Sequence, residues 1–252
     1  MEEAVYFKND DGEKLAGTLH LSESPVVGCV IFGHCFTCSR HTTVLRETAR
    51  KLTDRGIAAL RFDFSGNGRS EGDFINTAYT RHVSEIASAR QFLATKGLAR
   101  FGLAGHSMGA AVSILAALRM TDVVGVSAFS GRLGGLDPKA MFTDEQLSAL
   151  RETGRLRFQS RGRELALSSA FFEDAAQYDI LEAVSTLDAP LLVIHGDKDE
   201  IIPVWHARAA KERNPRVTLE IVHGADHMFS DAALREKAAD LAADWFRRRF
   251  DT

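Results

Sequence analysis

Short, apolar, β-rich runs recur along this chain, and amphipathic segments of helical spacing separate most of them. The runs are Val26–Phe32, Ile57–Phe62, Phe101–Ala104, Val123–Phe129, Pro190–Ile194 and Val217–Val222. Several are continuously apolar, as strands covered by helices on both faces are. The helical segments are Thr42–Arg55, Tyr79–Lys96, Met108–Met120 and Val204–Arg213, with a last one from about Ala232 to Phe250. Strand alternating with helix predicts an α/β fold, a mostly parallel sheet with right-handed crossovers flanked by helices. The beginning differs. Val5–Lys8 and Lys14–Leu21 flank the turn signal Asn9-Asp10-Asp11-Gly12, so an antiparallel hairpin should start the sheet. Trp245, Phe246 and Phe250 in the last helix should pack on this sheet, and the oligomeric state is not legible.

One interval breaks the rhythm. No strand is evident between Ser130 and about Leu187, where Gly131, Gly134, Gly135 and Pro138 precede charged stretches of helical spacing. Roughly 55 residues are too many for a structureless loop in a compact domain. A small helical cap insertion at 131–187 is expected, with 1–130 and 188–252 forming the core. This accounts for the length: 252 residues amount to about 1.7 domains at roughly 150 residues each.

Gly105-His106-Ser107-Met108-Gly109 follows one apolar run and opens a helix. That is the G-x-S-x-G nucleophile elbow in the context that gives it meaning. A serine on so tight a turn needs small neighbours, and the helix N-terminus behind it favours a developing oxyanion. The serine needs a base, and the base an orienting acid. His227, in Gly224-Ala225-Asp226-His227-Met228-Phe229, lies between the last strand and the last helix. Asp199 follows the strand Pro190–Ile194 and is the favoured acid, with Asp197 and Glu200 as rivals; Asp226 and His223 rival around His227. The order Ser107, Asp199, His227 suits three side chains carried at the C-terminal ends of one parallel sheet.

The loop after Val26–Phe32 reads Gly33-His34-Cys35-Phe36-Thr37-Cys38-Ser39-Arg40. The amide of Phe36 is the natural oxyanion donor, paired with that of Met108. His34 suits a loop-shaping role better than a catalytic one. Cys35-Phe36-Thr37-Cys38 is a C-x-x-C, but neither the context of a dithiol oxidoreductase nor further metal ligands accompany it. Small polarizable side chains lining the loop are the favoured reading. Cys29, Cys35 and Cys38 form an odd, crowded set rather than a disulfide framework, so a reducing cytoplasm is the expectation. Asp63-Phe64-Ser65-Gly66-Asn67-Gly68-Arg69-Ser70 lacks a complete nucleotide fingerprint and reads as a loop bracing its neighbour.

Composition excludes other classes. Apolar residues are 45% and charged residues 26%, enough core for a globular chain. A net charge of −3 offers no basic excess for nucleic acid. The acidic Met1-Glu2-Glu3-Ala4 start is unlike a secretory signal, and no apolar run reaches the length of a membrane span. No cofactor and no metal are expected, and the partner is a small-molecule ester.

At these residues the chain resembles the α/β-hydrolase superfamily. The matching pieces are Gly105–Gly109, Asp63–Ser70, His195-Gly196-Asp197-Lys198-Asp199-Glu200-Ile201-Ile202-Pro203 and Gly224–His227. Most members carry His-Gly in the oxyanion loop, where this chain has His34-Cys35. His-Cys-Phe-Thr-Cys-Ser, with Arg61–Gly66 and Ser70–Phe74, is similar to the hydrolase half of hydrolase–OsmC fusion proteins. No OsmC-type domain is expected after Thr252, so that partner's redox association does not carry over. The C-terminal half resembles small capped carboxylesterases of the cinnamoyl/feruloyl and serine-aminopeptidase-like groups. The resemblance implies a serine esterase working through an acyl-enzyme on small or medium acyl or aryl esters. A thioesterase or aminopeptidase with the same triad is one alternative, and a non-catalytic binding protein on this fold another.

Specificity should reside in the insertion. Arg151, Arg155, Arg157, Arg161 and Arg163 could recognise an anionic substrate, but a solvated face balanced by Glu152 and Glu164 is favoured. Phe142, Phe158, Phe171 and Phe172 could line an acyl pocket or form the insert's own core. His34, Cys35, Leu136, Met141 and Met228 complete the candidate pocket.

Overall fold

The computed structural model describes residues 1–135 and 137–251. Its first elements are β1 (Glu2–Lys8), β2 (Lys14–His20), β3 (Cys29–Gly33), α1 (Thr43–Thr53), β4 (Ala58–Phe62), α2 (Tyr79–Thr95), β5 (Phe101–His106), α3 (Met108–Ala117) and β6 (Val123–Phe129). The insertion adds α4 (Asp144–Thr153), β7 (Arg155–Ser160), β8 (Arg163–Ser168), α5 (Ser169–Ala175) and α6 (Ile180–Thr186). The core then resumes with β9 (Leu191–Gly196), α7 (Trp205–Arg213), β10 (Thr218–Val222) and α8 (Ala232–Phe250). Among the described residues, no helix is long and apolar enough to cross a membrane.

Eight strands form one sheet in the order β1-β2-β4-β3-β5-β6-β9-β10. The β1–β2 and β2–β4 pairs are antiparallel, and every pair from β4 to β10 is parallel. The side-chain period of two divides each central strand between two cores. Val30 and Phe32 of β3 face α1 and α8, whereas Cys29 and Ile31 face α2, α3 and the insertion. Trp245, Phe246 and Phe250 are buried against the sheet in the first of these cores. The segments before and after the insertion thus build one sheet, and the loops at its C-terminal edge converge beside central β5.

The insertion is not wholly helical. Helical spacing was expected throughout 131–187, but β7 and β8 pair as an antiparallel hairpin apart from the main sheet. Its logic is period two. Leu156, Leu165 and Leu167 are buried while Arg155, Arg157 and Arg163 are exposed. Arg161 and Gly162 turn the chain with φ of 52° and 72°, the positive pair a two-residue hairpin loop requires. The density of arginines hides this alternation behind what looks like a charged helical face.

Two contacts tie the insertion to the core. The first residue of α2 follows Ala78, whose side chain cannot cap a helix. Asp174 on α5 does so instead, its Oδ2 accepting from the amides of Tyr79 at 2.6 Å and Thr80 at 3.2 Å. The second contact is aromatic: the Phe36 ring stacks on Phe171 at 5.3 Å and Phe158 at 6.0 Å.

Candidate active site

Ser107 sits at the sharp junction of β5 and α3 with φ 57° and ψ −115°. A non-glycine residue there is strained, and the surroundings hold it. Its amide donates to the Phe129 carbonyl of β6 at 2.9 Å, and its carbonyl accepts from the Ala110 amide at 3.1 Å. The elbow demands glycine on both sides. A Cβ on Gly105 would lie 2.0 Å from the Gly109 carbonyl oxygen, and one on Gly109 would lie 2.1 Å from that of Gly33.

Asp199 and His227 meet across the ends of β9 and β10. Nδ1 of His227 lies 2.8 Å from Asp199 Oδ2. The other carboxylate oxygen accepts from the amides of Ile201 at 3.0 Å and Ile202 at 2.7 Å. His195 Nε2 reaches the Ile202 carbonyl at 2.8 Å and Asp199 Oδ2 at 3.3 Å. Burial opposes the charge of Asp199, but the bonds from His195 and His227 outweigh it and hold its carboxyl well below the usual range. An ionised Asp199 fixes the proton of His227 on Nδ1 and leaves Nε2 able to accept one. The rivals are engaged elsewhere. Asp197 binds His223 Nδ1 at 2.8 Å and the Gly224 amide at 2.6 Å, and Asp226 accepts from the Ser230 amide at 2.8 Å. Glu200 is exposed.

His106, beside the serine, is fully buried and donates from Nε2 to the main-chain carbonyl of His227 at 2.8 Å. Burial, then the nearby His227, pushes its pKa down to about 3. A neutral imidazole thus pins the backbone that carries His227. Ser107 and His227 face one groove, although no hydrogen bond joins their side chains among the described residues. Such bonds are often long without substrate.

Two cavities adjoin Ser107. One is an open groove of about 430 Å³ lined by Cys35, Thr37, Phe142, Phe158, Arg161, His227 and Met228, among others. The other is a small, mostly apolar pocket of about 60 Å³, bounded by Phe36, Tyr79, Met108, Arg132, Met141 and Phe171 among others. Phe36 and Met108 line this pocket together with Ser107.

The phenylalanines divide between roles. Phe142 and Phe158 line the groove and Phe171 the pocket, whereas Phe172 is buried against Phe142 and Phe171 as core of the insertion. His34 lines neither cavity. It is fully buried, donates from Nδ1 to the Cys35 carbonyl at 2.7 Å and accepts at Nε2 from the Phe64 amide at 3.0 Å. Burial pushes its pKa down to about 4. It therefore joins the oxyanion loop to the Asp63–Ser70 loop, where Asp63 binds Arg40 and the Arg69 amide. Leu136 lies outside the described residues.

One expectation needs correction. Cys35 and Cys38 are not independent polarizable side chains but are joined in a disulfide. The turn that bonds the Cys38 amide to the Cys35 carbonyl at 3.1 Å brings their Cα atoms to 5.2 Å. Only Cys29 is a free thiol among the described residues, and burial pushes its pKa up. Arg151, Arg155, Arg157, Arg161 and Arg163 are all exposed, as a solvated face would be, and Arg157 pairs with Glu164 at 2.9 Å; none of them lines the small pocket beside Ser107, but another arginine of the insertion does. It is Arg132, two residues after Ser130. The signal for it was positional: a cation just past the end of the strand beside the nucleophile's own.

A family model described as the alpha/beta hydrolase family matches residues 30–243. The esterase domain of a Rhodothermus marinus protein is 25% identical, with 98% of each chain covered and a TM-score of 0.76. Est1E from Butyrivibrio proteoclasticus, solved with ferulic acid bound, is 21% identical, with 99% of this chain and 100% of its own covered and a TM-score of 0.85. A putative phosphoribosyl transferase of Mycobacterium tuberculosis is 26% identical over 237 residues, 92% of this chain. This chain spans only 43% of that relative's length.

Proposed function

The chain belongs to the alpha/beta hydrolase family, and from that premise we propose that it is a serine hydrolase of carboxylic esters with small or medium acyl groups. The observation that carries this reading is the Asp199–His227 pair at 2.8 Å, opening on the same groove as a serine held at φ 57°. Its likeness to an esterase domain supports the ester over other substrates.

In the proposed reaction, His227 Nε2 takes the Ser107 proton as Oγ bonds to the ester carbonyl carbon. The oxyanion is held by the amides of Phe36 and Met108. The carbon–oxygen bond to the alcohol then breaks, and the His227 proton passes to the departing oxygen. Water, deprotonated by His227, attacks the acyl-enzyme and releases the acid, returning the proton to Ser107. His227 lines the open groove and not the small pocket, so the alcohol leaves through the groove and the acyl group occupies the pocket. The pocket is small, about 60 Å³, and suits a short acyl tail.

A fluorophosphonate probe with wild type and Ser107→Ala tests this. Labelling confined to wild type, with turnover of short-chain p-nitrophenyl esters, is expected. Labelling that persists in the variant would overturn the assignment, and thioesters in the same panel separate the two acyl-transfer chemistries.

A further inference from the structure

Arginine pairing across the chain isolates one residue. Buried or half-buried arginines elsewhere have partners: Arg40 binds Asp63, Arg81 binds Glu13, Arg55 binds Asp240 and Asp244, and Arg61 donates to His20 Nε2 and the Arg40 carbonyl. Arg132 is half-buried on the wall of the pocket beside Ser107 and forms no hydrogen bond or ion pair among the described residues. Its neighbours on that wall are apolar: Phe36, Met108, Met141, Phe171 and Ile202. A guanidinium in such surroundings is costly unless an anion joins it. Tyr79, on the same wall, has a hydroxyl with no hydrogen bond among the described residues and adds a second donor.

We propose that Arg132 recognises the far end of the acyl group, and that the site takes half-esters of short dicarboxylic acids. This rests on the hydrolase reading above. The free carboxylate would engage the planar guanidinium through two hydrogen bonds, with the Tyr79 hydroxyl beside it. The apolar wall holds the methylenes, and the ester carbonyl lies at Ser107. A pocket this small suits a short diacid such as a glutaryl group. The products are the dicarboxylic acid and the alcohol, at the cost of one water. Arg151, Arg155, Arg157, Arg161 and Arg163 are exposed, and none of them lines this pocket.

The test compares monoethyl glutarate with ethyl 5-methylhexanoate, in which an isopropyl group replaces the carboxylate. Wild type should favour the half-ester in kcat/KM. The ratio of the two values should fall about 10- to 100-fold in Arg132→Met, the effect of losing a hydrogen-bonded charge pair, and less in Arg132→Lys. A ratio near one in wild type, or one unchanged in Arg132→Met, overturns the proposal. Failure of the hydrolase reading looks different: Ser107 stays unlabelled and neither ester turns over. Glutarate binding, followed by thermal shift, then decides. Stabilisation of wild type that disappears in Arg132→Met supports the anion subsite, and no stabilisation of wild type overturns it.

Discussion

Asp199 holds His227 with one carboxylate oxygen and two backbone amides with the other. Its Oδ2 lies 2.8 Å from His227 Nδ1, while Oδ1 accepts from Ile201 and Ile202. Asp199→Asn keeps the shape but can present its NH₂ to His227, favouring the tautomer that protonates Nε2. On the proposed mechanism kcat should fall about 10³- to 10⁴-fold, with KM little changed. Steady-state kinetics on a short-chain ester provide the check, and a variant that keeps a tenth of the wild-type rate would contradict the assignment of Asp199.

Gly109→Ala places a methyl group 2.1 Å from the Gly33 carbonyl oxygen, on backbone that cannot swing aside. The elbow and the end of β3 would have to separate. A loss of about 3 kcal/mol or more is expected, read as a lower midpoint in urea at an unchanged slope.

Asp174→Ala removes the cap that the insertion gives to α2. It should cost about 1–2 kcal/mol. Proteolysis should also cut the insertion sooner than in wild type. A melt indistinguishable from wild type would show that the cap contributes nothing.

His34 and His106 make stability depend on pH. Both are fully buried, and burial depresses their pKa values from the ordinary 6.5 to about 4 and about 3. Below 6.5 the unfolded chain binds protons that the folded chain refuses. Stability from these two groups is therefore complete above about pH 6.5 and drains as acid is added towards pH 4. At pH 5.5 each should cost about 1 kcal/mol. Denaturant titrations at pH 7.5 and 5.5 measure this, and His34→Gln should flatten the dependence by about one proton.

Much of the fold is legible in sequence because burial on both sides writes itself as continuous apolar runs such as Leu191–Ile194. The elbow is legible for a related reason: Gly105 and Gly109 face backbone at about 2 Å, and no other residue fits. Choosing Asp199 over Asp197 is different. They stand two positions apart with the same chemistry, and only the turn after β9 sends one to His227 and the other to His223. The β7–β8 hairpin escapes because arginines occupy its outer face, so a two-residue period passes for a charged helix. Arg132 escapes because a lone cation after a strand carries no pattern. The bond between Cys35 and Cys38 depends on a loop turn that residue types do not dictate.

Phe36 belongs to two parts of the molecule at once. It lines the pocket beside Ser107, where its amide is the proposed oxyanion donor, and its ring is stacked into Phe158 and Phe171 of the insertion. Exchanging this cap for one from another scaffold would therefore not be a neutral transplant. A graft lacking those two rings would let the loop settle elsewhere, changing turnover along with selectivity. An engineer seeking new specificity here should vary the pocket wall at Arg132 and Met141 and leave the aromatic stack as it stands.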